Sequence, residues 1–244
     1  MTGNSTNQAK PARKLLPENI LFEDNHIIII NKLPSQIVQG DKTGDITLAD
    51  IVKEYIKDQY KKSGEVFLGV VHRLDRPVSG AVIFARTSKA LTRLNALIKN
   101  REIKKTYWAV VKNKPPREND TLVDFLRRDE ARNKSFITGE HSKNAQRASL
   151  TYTLIGSSDN YYLLEIDLLT GRHHQIRAQL AGIDCPIKGD LKYGYPRSNP
   201  DGSIHLHARK LSFIHPVTLK QLIILAKAPN DPVWDFFTNN FDRY

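Results

Sequence analysis

Asp75 stands among three cationic or potentially cationic side chains in the run His72-Arg73-Leu74-Asp75-Arg76-Pro77-Val78-Ser79-Gly80. A carboxylate of this kind can serve as nucleophile or base, provided something keeps it ionised and something presents it to a ligand. Two apolar runs flank it, Val66 to Val71 and Ala81 to Ala85. Short continuous apolar runs bounded by turn residues read as buried strands. Pro77 biases Arg76 away from helix and Ser79-Gly80 supplies a tight turn. The spacing therefore predicts a loop between two strands with Asp75 on it. Residue types alone also fit a surface ion pair with Arg73 or Arg76, which would carry little energy.

The order of residues points further. The run closely resembles the active-site signature H-R-L-D-x-x-[TS]-S-G of the RluA-type pseudouridine synthases. Lys104, Lys105 and Tyr107, in Ile103-Lys104-Lys105-Thr106-Tyr107-Trp108-Ala109-Val110-Val111, are similar to that family's second motif. Leu169-Thr170-Gly171-Arg172-His173-His174-Gln175-Ile176-Arg177 is similar to its third. The three motifs occur in family order, and the resemblance spans residues 18 to 228.

The resemblance implies an RNA pseudouridine synthase. The reaction breaks the bond from ribose C1′ to uracil N1, turns the base, and joins C1′ to C5. It is an isomerisation without net redox change, so neither metal nor cofactor is required. By resemblance Asp75 is the catalytic carboxylate, attacking the ribose or removing a ribose proton. Tyr107 stacks on the target base and relays a proton from C5, although a Tyr in a Tyr-Trp-Ala-Val-Val strand also reads as core packing. Arg73 fills the gap left by the flipped nucleotide. Arg172 follows Thr170-Gly171, and the sequence predicts that it opens a helix running to Leu180. A cation there is opposed by the helix dipole, which predicts an anion opposite, with Asp75 as the partner. Ile176 on that helix is expected to line the uracil pocket, and His72 to bind substrate beside Arg73. Val78 and His173 stand where the family most often has threonine.

Two other readings share some of these residues. His72, His173, His174 and the His205-x-His207 pair, with Asp75, could form a metal-dependent phosphoesterase. A catalytically inactive RNA-binding protein would keep the basic surface without the chemistry. Against the first stand the lack of an H-x-x-x-H helix or paired carboxylates; against the second, the presence of Asp75 and Arg172.

The elements that position these residues read as α+β. Strands are predicted at 20–23, 27–31, 103–112, 122–127, 148–155, 161–169, 205–214 and 221–226. Helices are predicted at 47–61, with Thr47 as N-cap, and at 88–99, with Leu91, Leu94, Leu97 and Ile98 as the inner stripe. Most strands follow one another without crossover helices, so a largely antiparallel sheet is expected. The resemblance implies the pseudouridine synthase fold, a long mixed sheet with a central cleft. Residues 1–17 are polar and basic and read as a loosely attached tail, leaving 18–244 as the catalytic domain. Too few residues precede the first strand for a separate S4-type RNA-binding module.

Composition agrees with an RNA partner. Lys and Arg number 37 against 26 Asp and Glu, a formal charge of +11 over 244 residues. Such an excess favours polyanions. Arg117, Arg127, Arg128, Arg132, Lys134, Lys143 and Arg147 lie in one stretch read as a basic loop that grips ribosomal or transfer RNA. The N-terminus lacks the apolar core of a signal peptide, and Ile27–Ile30 is far too short to span a bilayer. A single cysteine, Cys185, excludes an internal disulfide and reads as an inert buried thiol. A cytoplasmic monomer without membrane contact is the expectation.

Overall fold

The computed structural model describes residues 14–40 and 44–242. Strands β1 (Ile20–Glu23), β2 (Ile27–Lys32), β3 (Gly69–Val70), β4 (Ser79–Ala85), β5 (Lys104–Val111), β6 (Asn119–Asp129), β7 (Lys134–Thr138), β8 (Gln146–Ser157), β9 (Tyr162–Leu168), β10 (Leu206–Ile214) and β11 (Gln221–Leu225) form one sheet. Its order is β1-β2-β4-β10-β5-β9-β8-β6-β7, with β11 added to β10 and β3 to β4. The β4–β10 pair is parallel and the other pairings are antiparallel. This is the α+β architecture that the strand pattern predicts, with a mixed sheet.

Both faces of the sheet are covered. Ile27, Ile28, Ile29 and Ile30 on β2 are all fully buried, and strand alternation divides them between two cores. Ile28 and Ile30 join a cluster with Val52 and Ile56 of helix α1 (Leu48–Gln59) and Ile176 and Leu180 of helix α3 (Gln175–Gly182). Ile27 and Ile29 face the other way, with Ala90 and Leu94 of helix α2 (Ser88–Lys99). Helix α4 (Pro232–Phe241) extends that second layer, packing Trp234 and Phe237 on Trp108 and Val110 of β5.

Local signals start the helices. Thr47 accepts from the Asp50 N–H at 3.0 Å while the Asp50 carboxylate accepts from the Thr47 N–H at 3.1 Å, a reciprocal capping box. Thr87 caps α2, and Leu94 is fully buried, with Leu91, Leu97 and Ile98 packed around it as the stripe predicts. Helix α4 is absent from the sequence reading, although Asp231-Pro232 is a good start signal: the Asp231 carboxylate accepts from Val233 and Trp234 N–H.

Four expectations need correction. The run 66–71 pairs only at Gly69–Val70, and Phe67 is exposed. The stretch read as a basic loop is mostly a hairpin, because β6 extends to Asp129 and β7 follows after a four-residue turn. Helix α3 begins at Gln175 rather than at Arg172. Most of the expected tail, 1–13, lies outside the described residues; from Leu15, which is buried in the main core, the chain is packed.

Candidate active site

Asp75 lies on the loop between β3 and β4, and that loop is held from three sides. Lys32, fully buried at the end of β2, donates from Nζ to the carbonyls of Leu33 (2.9 Å), Arg76 (3.1 Å) and Val78 (2.6 Å). Burial pulls its pKa down to about 7, opposed by the charge of Asp75. The Ser35 N–H also donates to Arg76 O, and the Ile204 N–H to Pro77 O. Beyond the turn, Ser79 Oγ is 2.8 Å from His207 Nδ1, while His207 Nε2 donates to Ala226 O at 3.0 Å. Gly80 has φ +116, and a Cβ there would run into the backbone of Ala208, its parallel partner on β10. Only glycine serves at this crossing.

The carboxylate meets its cation at Arg177. Arg177 Nη1 donates to Asp75 Oδ2 at 3.1 Å. The rest of the guanidinium grips Asp190 in a two-point bond, Nε to Oδ2 at 2.7 Å and Nη2 to Oδ1 at 2.9 Å. Burial opposes this charge, but the bonds to Asp190 and the charges of both carboxylates outweigh it, so Arg177 is held above its ordinary pKa. Tyr193 places its ring 5.0 Å from the guanidinium carbon. A planar donor set fixed on one carboxylate and aimed at another suits arginine and not lysine.

His174 closes the other side. It sits in the left-handed region (φ 52) just before α3, with Nε2 3.4 Å from Asp75 Oδ2 and Nδ1 3.0 Å from the Tyr193 hydroxyl. Burial and then the charge of Arg177 push its pKa down to about 2. It therefore meets Asp75 as a neutral ring. His173 stacks on it, ring centroids 3.8 Å apart.

Tyr107 comes from β5, between Ile166 on β9 and Ala208 on β10. Its side chain is buried, and its hydroxyl makes no hydrogen bond with any described residue. Burial raises its pKa, and the negative charge of Asp75 raises it further. A protonated phenol near the carboxylate, with no partner of its own, can act on a bound ligand. Ile176 is buried in the cluster that contains Tyr107, Leu74 and Val78.

Arg172 does not reach Asp75. The side chain is exposed and its Nε donates to Arg147 O at 3.0 Å. The physical reason is the helix start. The Arg172 N–H donates to Gln175 Oε1, which also accepts from Thr170 Oγ1 at 2.7 Å, so residues 170–174 form a bonded loop instead of a helical turn. No helix end stands at Arg172 for a dipole to act on, and the cation facing Asp75 is five residues on, inside α3. Arg177 and Asp190 were missed by sequence reasoning, although Arg177 closes the quoted third motif. His72 is also spent on the fold: Nε2 accepts from the Ile83 N–H at 3.2 Å, and burial, then the nearby Lys105, drive its pKa well down. Arg73 remains exposed on the Asp75 loop.

The phosphoesterase reading loses its ligands. His205 bonds Asn199 and Asp231 and stacks on Trp234, and His207 is used between Ser79 and Ala226. Among the described residues no group of three or more His, Cys, Asp or Glu is placed to hold a metal. Burial pushes the Cys185 thiol up to about 11, as an inert thiol requires.

Comparison with known proteins decides the family. The family model described as RNA pseudouridylate synthase matches residues 26–182, which includes all three motifs up to Arg177. The chain belongs to this family. A Bacillus subtilis protein called an uncharacterized RNA pseudouridine synthase, YhcT, is 32% identical over 92% of this chain and 74% of its own length. Ribosomal large subunit pseudouridine synthase C of Rickettsia felis is 29% identical over 96% of this chain and 73% of its own. Among solved structures, human RNA pseudouridylate synthase domain containing 4 superposes with a TM-score of 0.75 at 25% identity, covering 92% of this chain and 94% of that one. The fold and the enzyme class of this RNA pseudouridine synthase agree with the resemblance read from its motifs.

Proposed function

We propose that this synthase flips a uridine out of a structured ribosomal or transfer RNA and isomerises it with Asp75 as the catalytic carboxylate. The observation that carries this reading is the single buried guanidinium of Arg177 shared between Asp75 and Asp190. It holds the Asp75 carboxyl in one position beside a fixed positive charge, ready to attack C1′ or to take a ribose proton. Tyr107 supplies the base-facing ring and a hydroxyl that relays the C5 proton, its oxygen taking that proton as its own O–H proton passes on to solvent. Ile176 adds an apolar wall, and Arg73, exposed two residues before Asp75, fills the space left by the extruded base. Neutral His174 packs beside the carboxyl, Nε2 3.4 Å from Oδ2, and adds no charge of its own.

RNA is held by cations around this cleft. Arg128 and Lys192 both lower the pKa of His173 and His174, which puts their charges beside the site. Arg127, Arg147 and Arg172 are exposed nearby, and Arg172 belongs with this grip rather than with the chemistry. Action as a monomer is part of the same proposal. Among the described residues no helix is long and apolar enough to cross a membrane.

The test uses ribosomal and transfer RNA transcripts labelled with tritium at uridine C5. The wild type is expected to release tritium undiminished by EDTA, and Asp75→Asn to release none while still retaining RNA on a filter. Metal-dependent strand cleavage, or binding without release by the wild type, would overturn the assignment.

A further inference from the structure

The β6–β7 hairpin carries much of the basic surface, yet β7 is the last strand of the sheet and has no neighbour beyond it. Something other than sheet pairing must set the angle of its tip. Residues Glu130 to Asn133 form the turn, closed by the Asn133 N–H on Glu130 O, with Asn133 at φ 45. The 3-10 turn at Leu191–Tyr193 supplies one tether. Lys192 donates to Asn133 O at 3.0 Å, and the Tyr193 hydroxyl exchanges hydrogen bonds with the Ser135 backbone.

The second tether belongs to the catalytic loop itself. His173 directs Nε2 at Asn133 Oδ1 (3.1 Å) and Nδ1 at Ser135 Oγ (2.9 Å). Burial lowers its pKa, so the ring is neutral with one N–H to give. Asn133 Oδ1 can only accept, which places that N–H on Nε2; Nδ1 then shares the one Ser135 hydroxyl proton with the His173 carbonyl, 2.7 Å from the same Oγ. Both nitrogens are thus used on the hairpin. The ring face meanwhile lies on His174, 3.8 Å between centroids and 19° from parallel, and His174 in turn faces Asp75. A side chain as short as the family's usual threonine could not span this gap, because its hydroxyl lies one bond beyond Cβ and the imidazole Nε2 lies three.

We infer that His173 is a positioning residue that locks the β6–β7 hairpin to the catalytic loop, so that the hairpin's cations meet the RNA at a fixed distance from Asp75. This rests on the proposed role of the hairpin surface in holding RNA. The lock acts on binding, because the Asp75–Arg177–Asp190 contacts do not pass through His173. Releasing it leaves the tip held by Lys192, Tyr193 and the Ser135 bond to the residue-173 carbonyl alone, a looser hold that lets Arg128, Arg132 and Lys134 shift from the phosphates they would contact.

The experiment compares His173→Phe, which keeps the stacked ring and removes both imidazole hydrogen bonds while leaving the Ser135 hydroxyl on the backbone carbonyl of residue 173, with Asn133→Gly, which removes the acceptor of one of those bonds. Glycine is at ease at the positive φ of Asn133. With the tritium-labelled transcripts, each variant is expected to raise KM about tenfold, the weight of roughly one ordering hydrogen bond, with the loss falling in KM rather than kcat. The double variant should be no worse than either single one, since both cut the same link. The dependence of log Kd on log salt, read by filter retention, should become shallower as phosphate contacts are lost. Unchanged Kd and KM, an additive double variant or an unchanged salt slope would each overturn the lock. A wild type that releases no tritium would defeat the catalytic assignment instead, and the filter measurements would still decide the role of His173.

Discussion

Arg177 Nη1 donates to Asp75 Oδ2 across 3.1 Å while the same guanidinium holds Asp190 at 2.7 and 2.9 Å. Asp190 is almost fully buried and Asp75 is partly open, so the arrangement is directional. The inner carboxylate fixes the arginine, and the arginine fixes the outer carboxylate, which is the one a ligand can reach. The Asp75 loop and helix α3 are joined there, 102 residues apart in the chain.

Arg177→Lys is therefore expected to lower kcat about a hundredfold, because one ammonium cannot hold a two-point bond to Asp190 and still aim at Asp75. Arg172→Lys, on the exposed side, should act mainly on KM. Steady-state tritium release from both variants separates the two roles. Equal kcat losses would return Arg172 to the chemistry.

Much of this was legible in the chain. The buried strands, the capped helices α1 and α2, and the loop bearing Asp75 follow from periodicity and turn residues, which are local signals. The ion-pair partner was not legible, because Arg172 and Arg177 stand in the same motif and only the start of α3 distinguishes them. That start depends on Gln175, whose side chain bonds Arg172 N–H, Thr170 and Ser149, a set of contacts with no local pattern. Lys32 and Asp190 were missed for a related reason. A fully buried lysine or aspartate is explained by carbonyls and a guanidinium brought from distant segments, and nothing in its own neighbourhood announces them. The β7 strand was hidden by its charge, since a short edge strand that opens on Lys134 just after Arg132 reads like a loop.

Tyr107→Phe separates stability from activity. The hydroxyl has no hydrogen-bond partner among the described residues, so its removal should leave unfolding free energy within about 0.5 kcal/mol of the wild type. If the phenol moves the C5 proton, kcat should fall by about a hundredfold or more. Urea unfolding and tritium release on one preparation test both. A variant as active as the wild type would confine Tyr107 to packing.

Gly80→Ala attacks the crossing behind the Asp75 loop. The new methyl would meet the Ala208 backbone at a residue with φ +116, so neither the clash nor the strain can be relieved by a side-chain rotation. A loss of about 3 kcal/mol is expected. A fall of less than 1 kcal/mol in urea unfolding, on the ordinary scale of ~1 kcal/mol for a point mutation, would show that the β4–β10 pair can part without cost.

Stability should also fall as pH drops below neutrality. His174 and His207 are buried, and their folded pKa values lie at about 2 and about 4, against 6.5 for an ordinary histidine. Burial is the first cause in both. Between pH 6.5 and those lower values the unfolded chain binds protons that the folded chain refuses, so unfolding becomes easier as pH falls. At pH 5 each group contributes ~2 kcal/mol of lost stability relative to pH 7. His207→Gln keeps a donor for Ala226 O and an acceptor for Ser79 but cannot titrate. It should therefore lose some stability at pH 7 yet show a pH dependence smaller by ~2 kcal/mol between pH 7 and pH 5. Urea unfolding curves for both proteins at the two pH values measure this, and an equal pH dependence would mean that His207 takes up its proton in the folded chain as readily as in the unfolded one.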